Sequence, residues 1–137
     1  MKSKEVALND YVLFKGDVFG VTCVSLDVVC IQDISTGAIT LVRAEELRPI
    51  PLTAEMVREN WFEVKQDLSG TLMYLSLSRE NILVHAEENH IGKHPVWHIT
   101  VDTTYNDKPC VVQIDIDYVH ELQHILRLVD APFEFTL

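Results

Sequence analysis

No apolar run in the sequence exceeds four or five residues. A helix crossing a bilayer needs about 20, so no membrane span is expected. Basic residues are also few. Eleven Lys and Arg stand against 21 Asp and Glu, for a net charge of −10, and the basic residues are scattered singly. Nucleic-acid binding is driven by phosphate neutralisation with Lys and Arg, so nucleic acid is not the expected partner. The acidity reads first as a source of solubility. Glycine is sparse, at five residues, and neither a phosphate loop nor G-x-G-x-x-G is present, which excludes nucleotide binding by those motifs. The serines at 3, 25, 35, 69, 76 and 78 lack the context of a nucleophile elbow. There are three cysteines and no C-x-x-C. An odd count without such a pair argues for reduced thiols. Met1-Lys2-Ser3-Lys4-Glu5 leads through Val6-Ala7-Leu8 to Asn9-Asp10 without the apolar stretch of a signal peptide. The expected location is the cytoplasm.

What is present is ordinary globular material, 47% hydrophobic and 23% charged in 137 residues. That length suits one compact domain or two small lobes. The expected fold is α+β. Residues 1–52 are predicted to form a small antiparallel β-barrel of the Src-homology-3 (SH3-like) kind. Tyr11–Phe14, Val18–Val24, Val28–Ile31 and Ala38–Val42 are short β-branched runs. They are separated by turns at Lys15-Gly16-Asp17, Ser25-Leu26-Asp27 and Ser35-Thr36-Gly37. Cys23 and Cys30 could meet across the hairpin turning at Leu26-Asp27. The three cysteines otherwise read as small hydrophobes in apolar runs.

Residues 53–137 are predicted as an α+β lobe. Pro49 and Pro51 make an extended connector. Thr53 is the expected N-cap of a short helix over 54–60. A second antiparallel sheet is expected over 61–117, with turns at Ser69-Gly70 and Asn106-Asp107-Lys108-Pro109. Trp61, Tyr74 and Trp97 are candidate core residues. Tyr118, Val119, Leu122, Ile125, Leu126 and Val129 recur at helical spacing, predicting an amphipathic helix over 118–129. Asp117 is its expected cap and Ala131-Pro132 its stop. Phe133–Leu137 alternates like a final strand.

One motif looks like chemistry. His120-Glu121-Leu122-Gln123-His124 matches H-E-x-x-H on a predicted helix. In zinc peptidases the two histidines bind the metal and the glutamate activates its water. Helix geometry weighs against this. At about 100° per residue, with Leu122 at zero, the apolar stripe falls within about 60° of it, while His120 and His124 fall about 20° either side of 180°. Both rings are therefore expected on the solvated face. A third ligand is also hard to find. Glu134 lies on a strand-like tail, and the extended motif would need glycine at 127 and histidine at 130, where the chain has Arg127 and Asp130. His90, His94 and His98 step by four, but Gly92 and Pro95 interrupt a helix there. They read as loop histidines, with a cross-strand metal site at His94 and His98 as the alternative. His85 reads as an edge histidine. Asp115 and Asp117 read as outward alternation.

Two segments resemble a known family. Leu47-Arg48-Pro49-Ile50-Pro51-Leu52-Thr53-Ala54-Glu55, with Asn60-Trp61-Phe62-Glu63, is similar to a "kPIPLTeewL…GFek" stretch. Tyr118-Val119-His120-Glu121-Leu122-Gln123-His124-Ile125-Leu126 is similar to "YVHqLQnLyfaLTGeeL", and Leu8-Asn9-Asp10-Tyr11-Val12 to "LriGNyV". The family is one of small proteins of gut anaerobes, their prophages and mobile elements, and it brings no assigned activity. In its members the second histidine position is usually asparagine and the glutamate position glutamine. The resemblance therefore implies that H-E-x-x-H is incidental here, although His120 matches the pattern. Asn60-Trp61 and Val129-Asp130-Ala131-Pro132 depart from it.

The leading expectation is a non-enzymatic protein-interaction module of a phage or mobile element, with a protein partner and no cofactor. One alternative is a zinc-dependent hydrolase with His120 and His124 as ligands and Glu121 as base. Another is an acidic DNA mimic or nucleic-acid-associated accessory protein.

Overall fold

The computed structural model describes residues 1–60, 63–66, 73–79, 82–91, 94–105, 107–129 and 134–137. For 63–66, 73–79, 90, 91, 94, 95 and 105 it describes the backbone alone. By internal contacts the chain divides into two units. One comprises Met1–Pro51 with Tyr118–Gln123, the other Leu52–Asp117 with His124–Leu137.

The first unit holds a four-stranded antiparallel sheet, ordered β1 (Tyr11–Phe14), β2 (Asp17–Val24), β3 (Val28–Asp33) and β4 (Ile39–Arg43). Lys15 and Gly16 join β1 to β2 with φ of 52° and 92°, the two positive values that a tight hairpin of this hand demands. Alternation sends Val12, Val21, Val29, Ile31 and Val42 inward, where they are buried with Phe19 and Leu47. Burial stabilises by about 1.5–3 kcal/mol for each large apolar side chain. Cys23, by contrast, is exposed and Cys30 half-buried, so the apolar runs that hold these two do not bury them as small hydrophobes.

The expected SH3-like barrel is also corrected: the sheet is open, with β1 and β4 at its two ends. The segment that follows β4 pairs with β1 through a single bridge, Leu13–Arg48. Its two backbone bonds are both 2.9 Å long. The next residues explain the stop. Pro49 and Pro51 have no N–H to donate, so the returning segment cannot lengthen into a closing strand.

The turn between β3 and β4 is held by one carboxylate. Asp33 accepts from the Ser35 hydroxyl (2.6 Å), the Ser35 N–H (2.8 Å) and the Thr36 N–H (3.1 Å). The Ser35 hydroxyl first, then the two N–H groups, hold its pKa below the ordinary carboxylate value. A carboxyl whose pKa is lower folded than unfolded stabilises fully above the unfolded value and loses that contribution as pH falls through the folded one. Asp33→Ala is therefore expected to lower the thermal midpoint near neutral pH. The gap from wild type should close on acidification through and below the ordinary carboxylate range. A gap that stays constant throughout a pH series would refute this role.

The second unit starts with α1 (Ala54–Glu59), capped as expected by Thr53, whose hydroxyl accepts from the Met56 N–H at 3.3 Å. A five-stranded antiparallel sheet follows. Its order is β5 (Glu63–Gln66), β6 (Met73–Arg79), β7 (Ile82–Ile91), β8 (His94–Tyr105) and β9 (Lys108–Ile116). Val84, Ala86, Trp97, Ile99 and Val101 are all buried. Trp97 donates its indole N–H to the Leu52 carbonyl at 2.9 Å. Helix α2 spans Val119–Leu128.

Two further expectations are corrected. The strand expected to end near Val84 continues through His85 to Ile91. Buried Val84 and Ala86 alternate with half-buried His85 and Glu87, a period of two that propagates the ladder. His90 and His94 are thus strand residues, paired in register with Pro95 and Ile91, rather than loop residues. Residues 134–137 form no strand. Asn60, 3% exposed, holds them instead. Its amide donates to the Thr136 carbonyl and accepts from the Thr136 N–H, both at 2.8 Å, imitating a peptide unit.

Trp61, Phe62, Gly92, Asp130, Phe133, the turn expected at Ser69-Gly70 and the helix stop expected at Ala131-Pro132 lie outside the described residues, as do the side chains of Tyr74, His90 and His94. Among the described residues no helix is long and apolar enough to cross a membrane.

Candidate functional site

Helix α2 carries the H-E-x-x-H letters, and the structure gives each of them a distinct setting. His120 is buried, 7% exposed, and stacks on Tyr118 with ring centroids 5.9 Å apart. The expectation that it projects into water is corrected. The helix is buried over a wider arc than its apolar stripe. Val119, His120, Leu122, Gln123, Ile125 and Leu126 are all buried, and Arg127 and Leu128 are exposed. His124 is half-buried.

Glu121 accepts from the Tyr118 N–H at 3.0 Å. A carboxylate three residues into the chain from the helix's leading residue, reaching back to its N–H, is the reciprocal half of a capping box. It also favours the helix dipole. The leading residue is thus Tyr118 and not Asp117, whose carbonyl accepts from the Leu52 N–H at 2.9 Å. The carboxylate that would serve a zinc enzyme as base here closes the start of its own helix.

Gln123, an unassigned letter of the motif, does more than was legible from its spacing. It is 5% exposed, accepts from the Tyr11 N–H (3.0 Å) and donates to the Asn9 carbonyl (2.9 Å). No local signal announces it, because both partners lie more than a hundred residues upstream.

The second sheet gathers a polar row. Glu87, His98 and Asp115 are successive register partners across β7, β8 and β9. His98 Nδ1 lies 2.6 Å from Asp115 Oδ1. The carboxylate is 67% and the imidazole 35% exposed, so the pair is open to solvent and contributes only about 0–1 kcal/mol. Asp115, expected merely to face outward, orients this ring.

Among the described residues no group of three His, Cys, Asp or Glu is placed to hold a metal ion. Glu134, the one downstream glutamate, is exposed. A hollow of about 390 Å³ in the first unit is lined by Lys2, Asp27, Arg43 and Glu45, with Met1, Ser3, Leu26 and Ala44. Neither His120, Glu121 nor His124 lines it.

Comparison with protein-family models, with curated proteins and with solved structures returns no match for the chain.

Proposed function

We propose that the chain is a non-enzymatic protein-interaction module of a phage or mobile element, acting in the cytoplasm. Its partner is a basic protein that adds an extended segment along β4. The supporting observation is the composition of that edge. Ile39 and Leu41 are 66% and 68% exposed on a strand with a partner on one side only. Val28, on the neighbouring strand, is 40% exposed. A terminal strand carries unpaired backbone groups that template pairing. The net charge of −10 favours a partner of opposite sign and disfavours a second copy. The phage or mobile-element setting is supported by the resemblance of the Pro49–Thr53 and Tyr118–Leu126 segments. The location is supported by the odd thiol count and the short apolar runs.

A photo-crosslinker at exposed Thr40 tests this in cells. The expected result is one basic partner, linked through an extended segment, that disappears with Leu41→Asp. The same probe at Val111, on the other sheet, should not capture it. Equal labelling from both positions, or none from Thr40, would overturn the reading. The zinc-hydrolase alternative predicts stoichiometric zinc and a hydrolysis abolished by Glu121→Gln. The capping role predicts that Glu121→Gln changes stability by about 1 kcal/mol or less, since the amide oxygen still accepts.

A further inference from the structure

Cys23 and Cys30 are directly opposed on β2 and β3. A bulge makes them so. The register runs Val21 to Ile31, then shifts by one between Val21 and Cys23, with Thr22 as the extra residue. Had the register run on without the bulge, Thr22 would face Cys30 and Cys23 would face Val29. Thr22 turns its hydroxyl to the Cys30 carbonyl, at 3.3 Å. A bulge re-aims the side chains that follow it, and here it puts two sulfurs face to face. Opposed residues in an antiparallel ladder stand about 4.5–5.5 Å apart at Cα, within the span of about 4.4–6.8 Å that a disulfide bridges.

Both sulfurs sit on the outer face of the sheet. Val29 and Ile31, either side of Cys30, are buried, whereas Cys23 is exposed and Cys30 half-buried. Burial pushes the Cys30 thiol up, and the hydrogen bond and charge of Cys23 push it further. Cys110 makes the contrast. It is half-buried and opposes Thr103.

We propose that Cys23 and Cys30 form a reversible dithiol–disulfide site that reacts with low-molecular-weight disulfides. Cys23, the more exposed sulfur, loses its proton to solvent and attacks one sulfur of the incoming disulfide. That S–S bond breaks, a mixed disulfide forms at Cys23, and the departing thiolate takes up a proton. The Cys30 sulfur then loses its proton and attacks the Cys23 sulfur, expelling the second small thiolate, which is protonated in turn. The protein is oxidised by two electrons, and one small disulfide becomes two thiols.

The test uses the full chain and oxidised glutathione, followed by alkylation and mass spectrometry. Two of the three thiols should be lost together, with a linked Cys23–Cys30 peptide and Cys110 still alkylated. Dithiothreitol should restore all three. In Cys30→Ser the mixed disulfide at Cys23 should persist, because no resolving sulfur is present. Independent glutathione adducts on Cys23 and Cys30 without an intramolecular link would overturn the proposal. So would disulfide-linked dimers, or resistance of both thiols to oxidation.

Discussion

Replacing Trp97 with alanine is expected to lower unfolding free energy by about 3–5 kcal/mol, the largest single-residue effect foreseen in this chain. The indole is fully buried, and its register partners on β7 and β9 are Glu88 and Ile116. Val84, Ala86, Ile99 and Val101 in the same sheet are buried with it. Two contributions are separable. Truncation opens a cavity where a large ring had filled space. It also removes the donor that the Leu52 carbonyl holds at 2.9 Å, and a buried acceptor left without its donor costs about 1–3 kcal/mol. Trp97→Phe retains most of the ring and loses the donor. It should fall between wild type and Trp97→Ala, at about 1–3 kcal/mol. Urea titrations would show lower midpoints with little change in slope. An alanine variant within about 1 kcal/mol of wild type would show that the ring is not a keystone of this sheet.

Removing the Gln123 amide is the second large effect, at about 2–4 kcal/mol for Gln123→Ala. It comes from two part-buried hydrogen bonds at about 1–2 kcal/mol each when their partners are left unpaired. Those partners, the Tyr11 N–H and the Asn9 carbonyl, belong to the first strand and the residues leading into it. Asn9 itself sits at φ 66°, a left-handed conformation that asparagine tolerates better than most residues. Gln123→Glu is the sharper control. As a carboxylate it still accepts from Tyr11, but it has nothing to donate to Asn9, and burial disfavours its charge. Its folded-state pKa would be raised above the unfolded value, so its deficit should shrink as pH falls and the acid form regains a donor. The pKa shift is opposite to that of Asp33, yet both deficits narrow on acidification: at Asp33 the wild type loses a favourable carboxylate, and here the variant loses an unfavourable one. A Glu variant whose deficit grows on acidification would refute the two-bond account.

Local chemistry carried much of the fold into the sequence. The Lys15-Gly16 and Ser35-Thr36-Gly37 turns, the four short strands they separate, and the Thr53 cap follow from rules that reach only a few residues. The structure retains them with ends shifted by a residue or two. From sequence the apolar run of β7 stops at Val84, and Gly92 and Pro95 mark His90 and His94 as loop residues. Alternation over Val84, His85 and Ala86 outweighed those signals once a neighbouring strand was available on each side. Four β-branched runs look alike in an open and a closed sheet, so the sequence alone suggests a barrel where the sheet is open. Pro49 and Pro51, read only as a connector, also removed the donors that closure would use.

The candidate site divides in the same way. The letters of H-E-x-x-H were visible, and their meaning was not. Glu121 is a helix-capping acceptor, His120 lies against Tyr118, and Gln123 clamps the backbone beside Asn9. A helical wheel presumes that one face is covered and the opposite face is wet. Here the polar letters His120 and Gln123 are buried as well, so the wheel placed His120 on the wrong side.

The sequence by itself determined where the chain turns, which stretches alternate, and that a short helix and a longer one follow the two prolines and the second sheet. These are consequences of φ preferences, caps and periodicity, which act between near neighbours. The hairpin at Leu26-Asp27 already allowed Cys23 to meet Cys30, but only the tertiary structure decided that a one-residue bulge sets them directly opposite, that His98 meets Asp115, and that Asn60 and Gln123 bind backbone far away in the chain. Such contacts join residues from 7 to 114 positions apart. Register and burial fix them, and neither is a property of any single segment.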